Sequence, residues 1–96
     1  MTTVTLLFAL IALPANTEAA GAQPGRPIML DFTASWCGPC RQMRPAVEQL
    51  VQKGYPIKAV DIDASPELAE RYEVTGVPTF IVIDPSNGRA LARSAG

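Results

Sequence analysis

Two cysteines, Cys37 and Cys40, are the only ones in a chain of 96 residues that contains no histidine. Spaced as Cys-Gly-Pro-Cys, they can close and open a short disulfide, because a thiolate attacks a disulfide sulfur through a mixed-disulfide intermediate. The missing histidines remove the Ser-His and Cys-His nucleophile pairs and the commonest metal ligand. A zinc site of four ligands would need a second Cys or His pair, and the sequence has none. A structural staple explains little either, since so short a loop removes little entropy from the unfolded chain. Any chemistry must then run on thiols, carboxylates or lysines, and redox exchange at the dithiol is the reading that needs no cofactor.

A cysteine at the start of a helix has its thiolate stabilised by unpaired backbone N–H groups and by the helix dipole, which places Cys37 to react. Cys40 lies one turn further on the same side and is expected to be more enclosed. From there it can attack a mixed disulfide at Cys37 and release the reduced partner. Gly38 tolerates a tight backbone, and Pro39 fixes φ at a position whose N–H would go unpaired in any case.

The elements that must hold this pair are readable on both sides of it. Residues 28–33 form an apolar run on both faces, as expected of a central strand, interrupted by Asp31, whose burial is costly unless it serves a purpose. Residues 41–53 place Met43, Val47, Leu50 and Val51 at helical spacing, with Gly54 as the stop and Pro45 as an internal kink. A second strand is expected over 57–62, and a helix after Ser65-Pro66-Glu67, with Ser65 as N-cap. Thr79 to Ile83 reads as a third strand. Asp84 to Gly88 forms a turn, and 89–93 returns as a hairpin arm. This order predicts an α/β fold, a mixed sheet flanked by helices. Met29 and Met43 are expected in the core, and Asp63, Glu67, Glu70 and Glu73 on a solvated face.

Residues 1–22 read as a leader: the apolar run from Val4 to Leu13 has the length of a signal-peptide core and is too short to span a bilayer. Small residues around Thr17-Glu18-Ala19-Ala20 suit cleavage, although no Lys or Arg precedes the run. The expectation is export to a periplasmic or extracellular space, with a cytoplasmic protein as the alternative. Residues 23–27 read as a linker and 28–96 as the domain. A composition of 48% hydrophobic and 18% charged residues with net charge -1 points to no nucleic-acid partner and no anionic membrane surface.

The stretch from Leu30 through Trp36-Cys37-Gly38-Pro39-Cys40 resembles the active site of the thioredoxin family and its preceding strand. Pro45 matches the family's kinking proline, and Val77-Pro78-Thr79 its cis-proline loop; the likeness runs from about Ile28 to Arg93. The resemblance implies a thioredoxin-like fold and thiol-disulfide exchange with protein disulfides, more in the manner of a reductase, supplied by an upstream electron donor. It makes Cys37 the attacking thiol, Cys40 the resolving thiol and Asp31 the proton acceptor. Trp36 walls the site, and Val77 and Pro78, with Gly38 and Pro39, meet an extended substrate peptide. Two departures stand out. The family's buried lysine aligns with Ala59, while Lys58 points to the opposite face of its strand. The family's last helix has no counterpart before Gly96, so the scaffold is expected to be incomplete. The alternative function is a non-catalytic binding or chaperone-type module on the same fold.

Overall fold

The continuous apolar run at Ile28–Thr33 forms the first strand, β1. In the computed structural model, which describes residues 25–95, β1 lies inside a four-stranded sheet. The 1–22 leader lies outside the described residues. On one side β1 pairs in parallel with β2 (Ile57–Asp61), and on the other it runs antiparallel to β3 (Thr79–Asp84). The hairpin arm β4 (Arg89–Ala95) pairs antiparallel with β3, giving the order β2-β1-β3-β4. Helix α1 (Gly38–Gln52) follows β1, and the short helix α2 (Pro66–Arg71) follows β2. This is the mixed α/β sheet that the order of elements predicts.

Strand periodicity divides the sheet into two faces. Leu30 and Phe32 of β1 join Val60 of β2, Ile81 of β3 and Tyr72 in one buried cluster, against which Leu68 and Ala69 of α2 pack. Phe32 and Ile81 are fully buried. Asp31 therefore points the other way, toward α1, in register with Ala59 on β2 and Phe80 on β3.

The helix α1 starts at Gly38, three residues earlier than its apolar pattern suggests, because a Gly-Pro pair is compatible with a first turn. It runs on through Pro45, and Gly54, at φ 96, follows its C-cap Lys53. Cys40 is its one buried residue. Met43, expected in the core, is 39% exposed instead, and Leu50 and Val51 are exposed as well, although Val51 still lines the space between α1 and the sheet. The helical period locates an apolar stripe but not what lies opposite; here α1 faces β1 and β2 across a cavity that Asp31, Thr33, Ile57 and Ala59 line from the sheet side. Ser65 sits at the N-cap of α2 without a side-chain capping bond; its carbonyl alone accepts from Leu68 and Ala69.

The hairpin is tied back to α2 at two points. Arg93 of β4 donates through its guanidinium to the carbonyls of Tyr72 and Glu73, the latter a left-handed residue at φ 56. At the hairpin turn, Tyr72 donates its hydroxyl to the Gly88 carbonyl at 2.7 Å. Gly88 has φ +75, which favours glycine; a Cβ there would lie 2.7 Å from the mobile end of the Arg71 side chain, which can swing aside. Among the described residues no helix is long and apolar enough to cross a membrane.

Candidate active site

The strand β1 delivers the chain to Ala34, whose carbonyl accepts from the Cys37 N–H at 3.2 Å, and α1 begins one residue later. Cys37 is thus the N-cap itself, with extended φ −87 and ψ 110. Its Sγ accepts the Cys40 backbone N–H at 3.1 Å, taking the place a Ser or Asp oxygen usually holds. The two cysteines form a disulfide with their Cα atoms 5.3 Å apart. In the reduced protein the same amide, with the positive end of α1 behind it, stabilises a thiolate at Cys37.

The expected difference in enclosure between the cysteines is absent: Cys37 is 4% exposed and Cys40 6%. Both sit in one small cluster with Ala34, because the N-cap turn folds the first sulfur back over the second. What distinguishes them is their surroundings. Cys37 receives the helix amide, whereas Cys40 lines a cavity of about 300 Å³ between α1 and the sheet, shared with Asp31, Thr33 and Arg44.

Burial raises the Asp31 carboxyl above its ordinary value, and the charge of Arg44 partly offsets this. In a strand register that sets Ala59 beside Asp31, no strand cation stands next to the carboxyl, and Lys58 pairs with Leu30 on the far face. An acid whose folded pKa is raised binds its proton more tightly in the native state. Its stabilising contribution is full below the unfolded pKa and is lost as pH rises through the folded value. Asp31→Asn is therefore expected to melt at a higher temperature than the native protein at neutral pH. The gap should close as pH falls below the ordinary aspartate range of 3.8. Thermal melts across that pH series test this, and identical curves at every pH would refute it.

Val77 is brought from forty residues downstream to pack against the cluster of Ala34, Cys37 and Cys40. The Val77–Pro78 peptide bond is cis, and Pro78 is buried. A groove of about 250 Å³ runs along this loop, lined by Val77, Pro78 and Thr79 with Arg93 and Ala95 of β4. Gly38 is half-buried and Pro39 exposed on the rim of the dithiol. Trp36 stands beside them 63% exposed, a surface platform more than a wall, with its indole N–H donating to Asp63 Oδ2 at 2.9 Å. Arg41, next to Cys40, donates to the Ser35 carbonyl at 3.0 Å and so braces the loop that presents Trp36.

Two of these links lie beyond local pattern. Asp63 looks like any solvated acid, and its bond to Trp36 spans 27 positions. Arg44 joins Asp31 only because α1 folds over β1. Among the described residues, no group of three His, Cys, Asp or Glu side chains could hold a metal ion.

The sequence matches the family model described as thioredoxin over residues 12–96, a span that includes the end of the 1–22 segment. Thioredoxin-1 of Drosophila yakuba is 47% identical over 73 residues, covering 72% of this chain and 65% of that protein. The thioredoxin of Chlamydia trachomatis is 41% identical over 71 residues, covering 72% and 68%. Among solved structures, Fasciola hepatica thioredoxin superposes with TM-score 0.69 at 41% identity, over 76% of this chain and 70% of that one. The oxidised mitochondrial thioredoxin 3 of Saccharomyces cerevisiae gives TM-score 0.65 at 34% identity, over 77% and 69%. This chain spans 65% of the length of the Drosophila yakuba relative. With the Cys-Gly-Pro-Cys pair at a helix start, the cis Val77–Pro78 loop packed on it and Asp31 beneath, the chain belongs to the thioredoxin family.

Proposed function

We propose that the protein is a thiol-disulfide oxidoreductase that reduces disulfides in protein substrates. The observation that carries this reading is the Cys37 sulfur, capping α1 and accepting the Cys40 N–H. The Cys37 thiolate attacks one sulfur of a substrate disulfide; a Cys37–substrate bond forms and the other substrate sulfur leaves as a thiolate, which takes a proton from solvent. Cys40 then gives its proton to Asp31 and attacks Cys37. The Cys37–Cys40 bond forms, the second substrate thiolate is released, and two electrons have passed from the protein to the substrate.

The substrate segment lies extended along the Val77–Pro78 backbone, with Trp36, Gly38 and Pro39 on its other side. An upstream electron donor returns the pair to the dithiol. The test is insulin-disulfide reduction with dithiothreitol as the donor: the native protein accelerates it over dithiothreitol alone. Acceleration that survives alkylation of the reduced cysteines would overturn the assignment.

We also propose that the protein is exported, on the strength of the apolar run from Val4 to Leu13 and the small residues after it. The alternative is a cytoplasmic protein that keeps this segment. The mass of the protein recovered from its host decides between them: export predicts loss of about the first 22 residues.

A further inference from the structure

The cavity behind the dithiol holds one acid from the sheet, Asp31, and one thiol from the helix, Cys40. Its strand wall beside Asp31 is Ala59, which carries no charge. Its helix wall carries two charged side chains one turn apart, Arg44 and Glu48. Arg44 is four residues after Cys40, so both project from the same side of α1 into the same space. Of the remaining charges nearby, Asp61 follows on the same face of β2 but accepts the Asp63 backbone N–H at 2.8 Å, and Lys58 belongs to the opposite face.

We propose that Arg44 is a positioning residue for the exchange: from the α1 wall of the cavity it shares with Asp31 and Cys40, its guanidinium charge favours the carboxylate that receives the Cys40 proton. This deepens the oxidoreductase reading and rests on it. The step it serves is the second one. The Cys40 S–H proton passes to the Asp31 carboxylate, the Cys37–Cys40 bond forms as the Cys37–substrate bond breaks, and the substrate sulfur leaves with the electron pair. A carboxyl already protonated cannot take that proton. Burial pushes Asp31 toward protonation, and the opposing influence in this cavity is the charge of Arg44. Because the cation sits on a long, exposed side chain, its effect is modest and sensitive to salt.

The experiment uses the full chain with Arg44→Ala and Arg44→Lys. In each reduced protein the Asp31 carboxyl is titrated by carbon-13 NMR. In each, Cys37 is also loaded with 2-nitro-5-thiobenzoate, and its release by Cys40 is followed against pH. Arg44→Ala is expected to move the Asp31 midpoint and the acid limb of release to higher pH. At mildly acid pH release should slow about two- to fivefold, as the coupling of exposed charges allows, and the difference should vanish at alkaline pH. Arg44→Lys should restore the native profile, and molar salt should erase the gap between native protein and Arg44→Ala. An Asp31 midpoint and a release profile unchanged in Arg44→Ala would overturn the proposal. Failure of the underlying reading looks different: release would then persist in Cys40→Ser, whatever Asp31 does in the NMR titration.

Discussion

Cys37→Ser is expected to reduce insulin no faster than dithiothreitol alone, whereas Cys40→Ser is expected to bind its substrate covalently and stop. The contrast follows from the positions of the two sulfurs. Cys37 holds the helix-cap site where the Cys40 N–H meets Sγ at 3.1 Å, and a serine there keeps the cap but replaces an ionisable nucleophile by a hydroxyl. Loss of the attacking atom costs on the order of 10³-fold or more in turnover, so only the background remains. Cys40→Ser leaves attack intact, because the cap sulfur and the amide that steadies it are both still present. The mixed disulfide then has no internal thiol to resolve it, and it accumulates as a species stable without reductant and cleaved by added dithiothreitol. Non-reducing gels and intact mass after a single addition of substrate read this directly. Turnover by Cys37→Ser at the native rate, or a Cys40→Ser that shows no adduct, would contradict the assigned roles.

The parts of this arrangement that were legible in the chain are those set by local physics. The strand β1 announces itself because Ile28, Met29, Leu30 and Phe32 are apolar on both faces, and its observed bounds coincide with that run. Pro66 after Ser65 marks the start of α2, and the turn cluster from Asp84 to Gly88 marks the hairpin, because these residues restrict φ or need its positive range. Asp31 declares a purpose by being an acid in such a strand. The links that could not be read depend on which faces meet. Helical spacing in α1 identifies Met43, Leu50 and Val51 as a stripe, yet all three are exposed, since spacing alone does not say what packs opposite a stripe. The bond from Trp36 to Asp63 and the grip of Arg93 on the end of α2 join segments that nothing in their own neighbourhoods pairs. The similar burial of the two cysteines is illegible for a related reason: helix position ranks them, but the N-cap turn folds Cys37 back into the protein.

Phe32→Ala is expected to remove about 3–5 kcal/mol of stability, more than any surface change in this chain. The side chain is fully buried, at the meeting point of Leu30, Val60, Tyr72 and Ile81, and its ring lies 6.1 Å from that of Tyr72 in a tilted pair. Truncation loses the transfer energy of the ring and leaves a hole bounded by a central strand that cannot move inward, since β1 is hydrogen-bonded on both sides. A domain whose total stability is typically about 5–15 kcal/mol has little margin for such a loss, and a small core sits toward the lower end. Phe32 also stands one residue after Asp31 on β1 and five before Cys37, the N-cap of the helix that follows this strand. Its loss should therefore lower disulfide reduction through the fraction unfolded, and activity should return on cooling or in stabilising osmolyte. Leu91→Ala, at a side chain 55% exposed on β4, supplies the control and should change stability by no more than about 0.5 kcal/mol. Urea unfolding of both variants makes the comparison. A Phe32→Ala protein within about 1 kcal/mol of the native one would mean that the cluster around β1 is not the core that holds the dithiol in place.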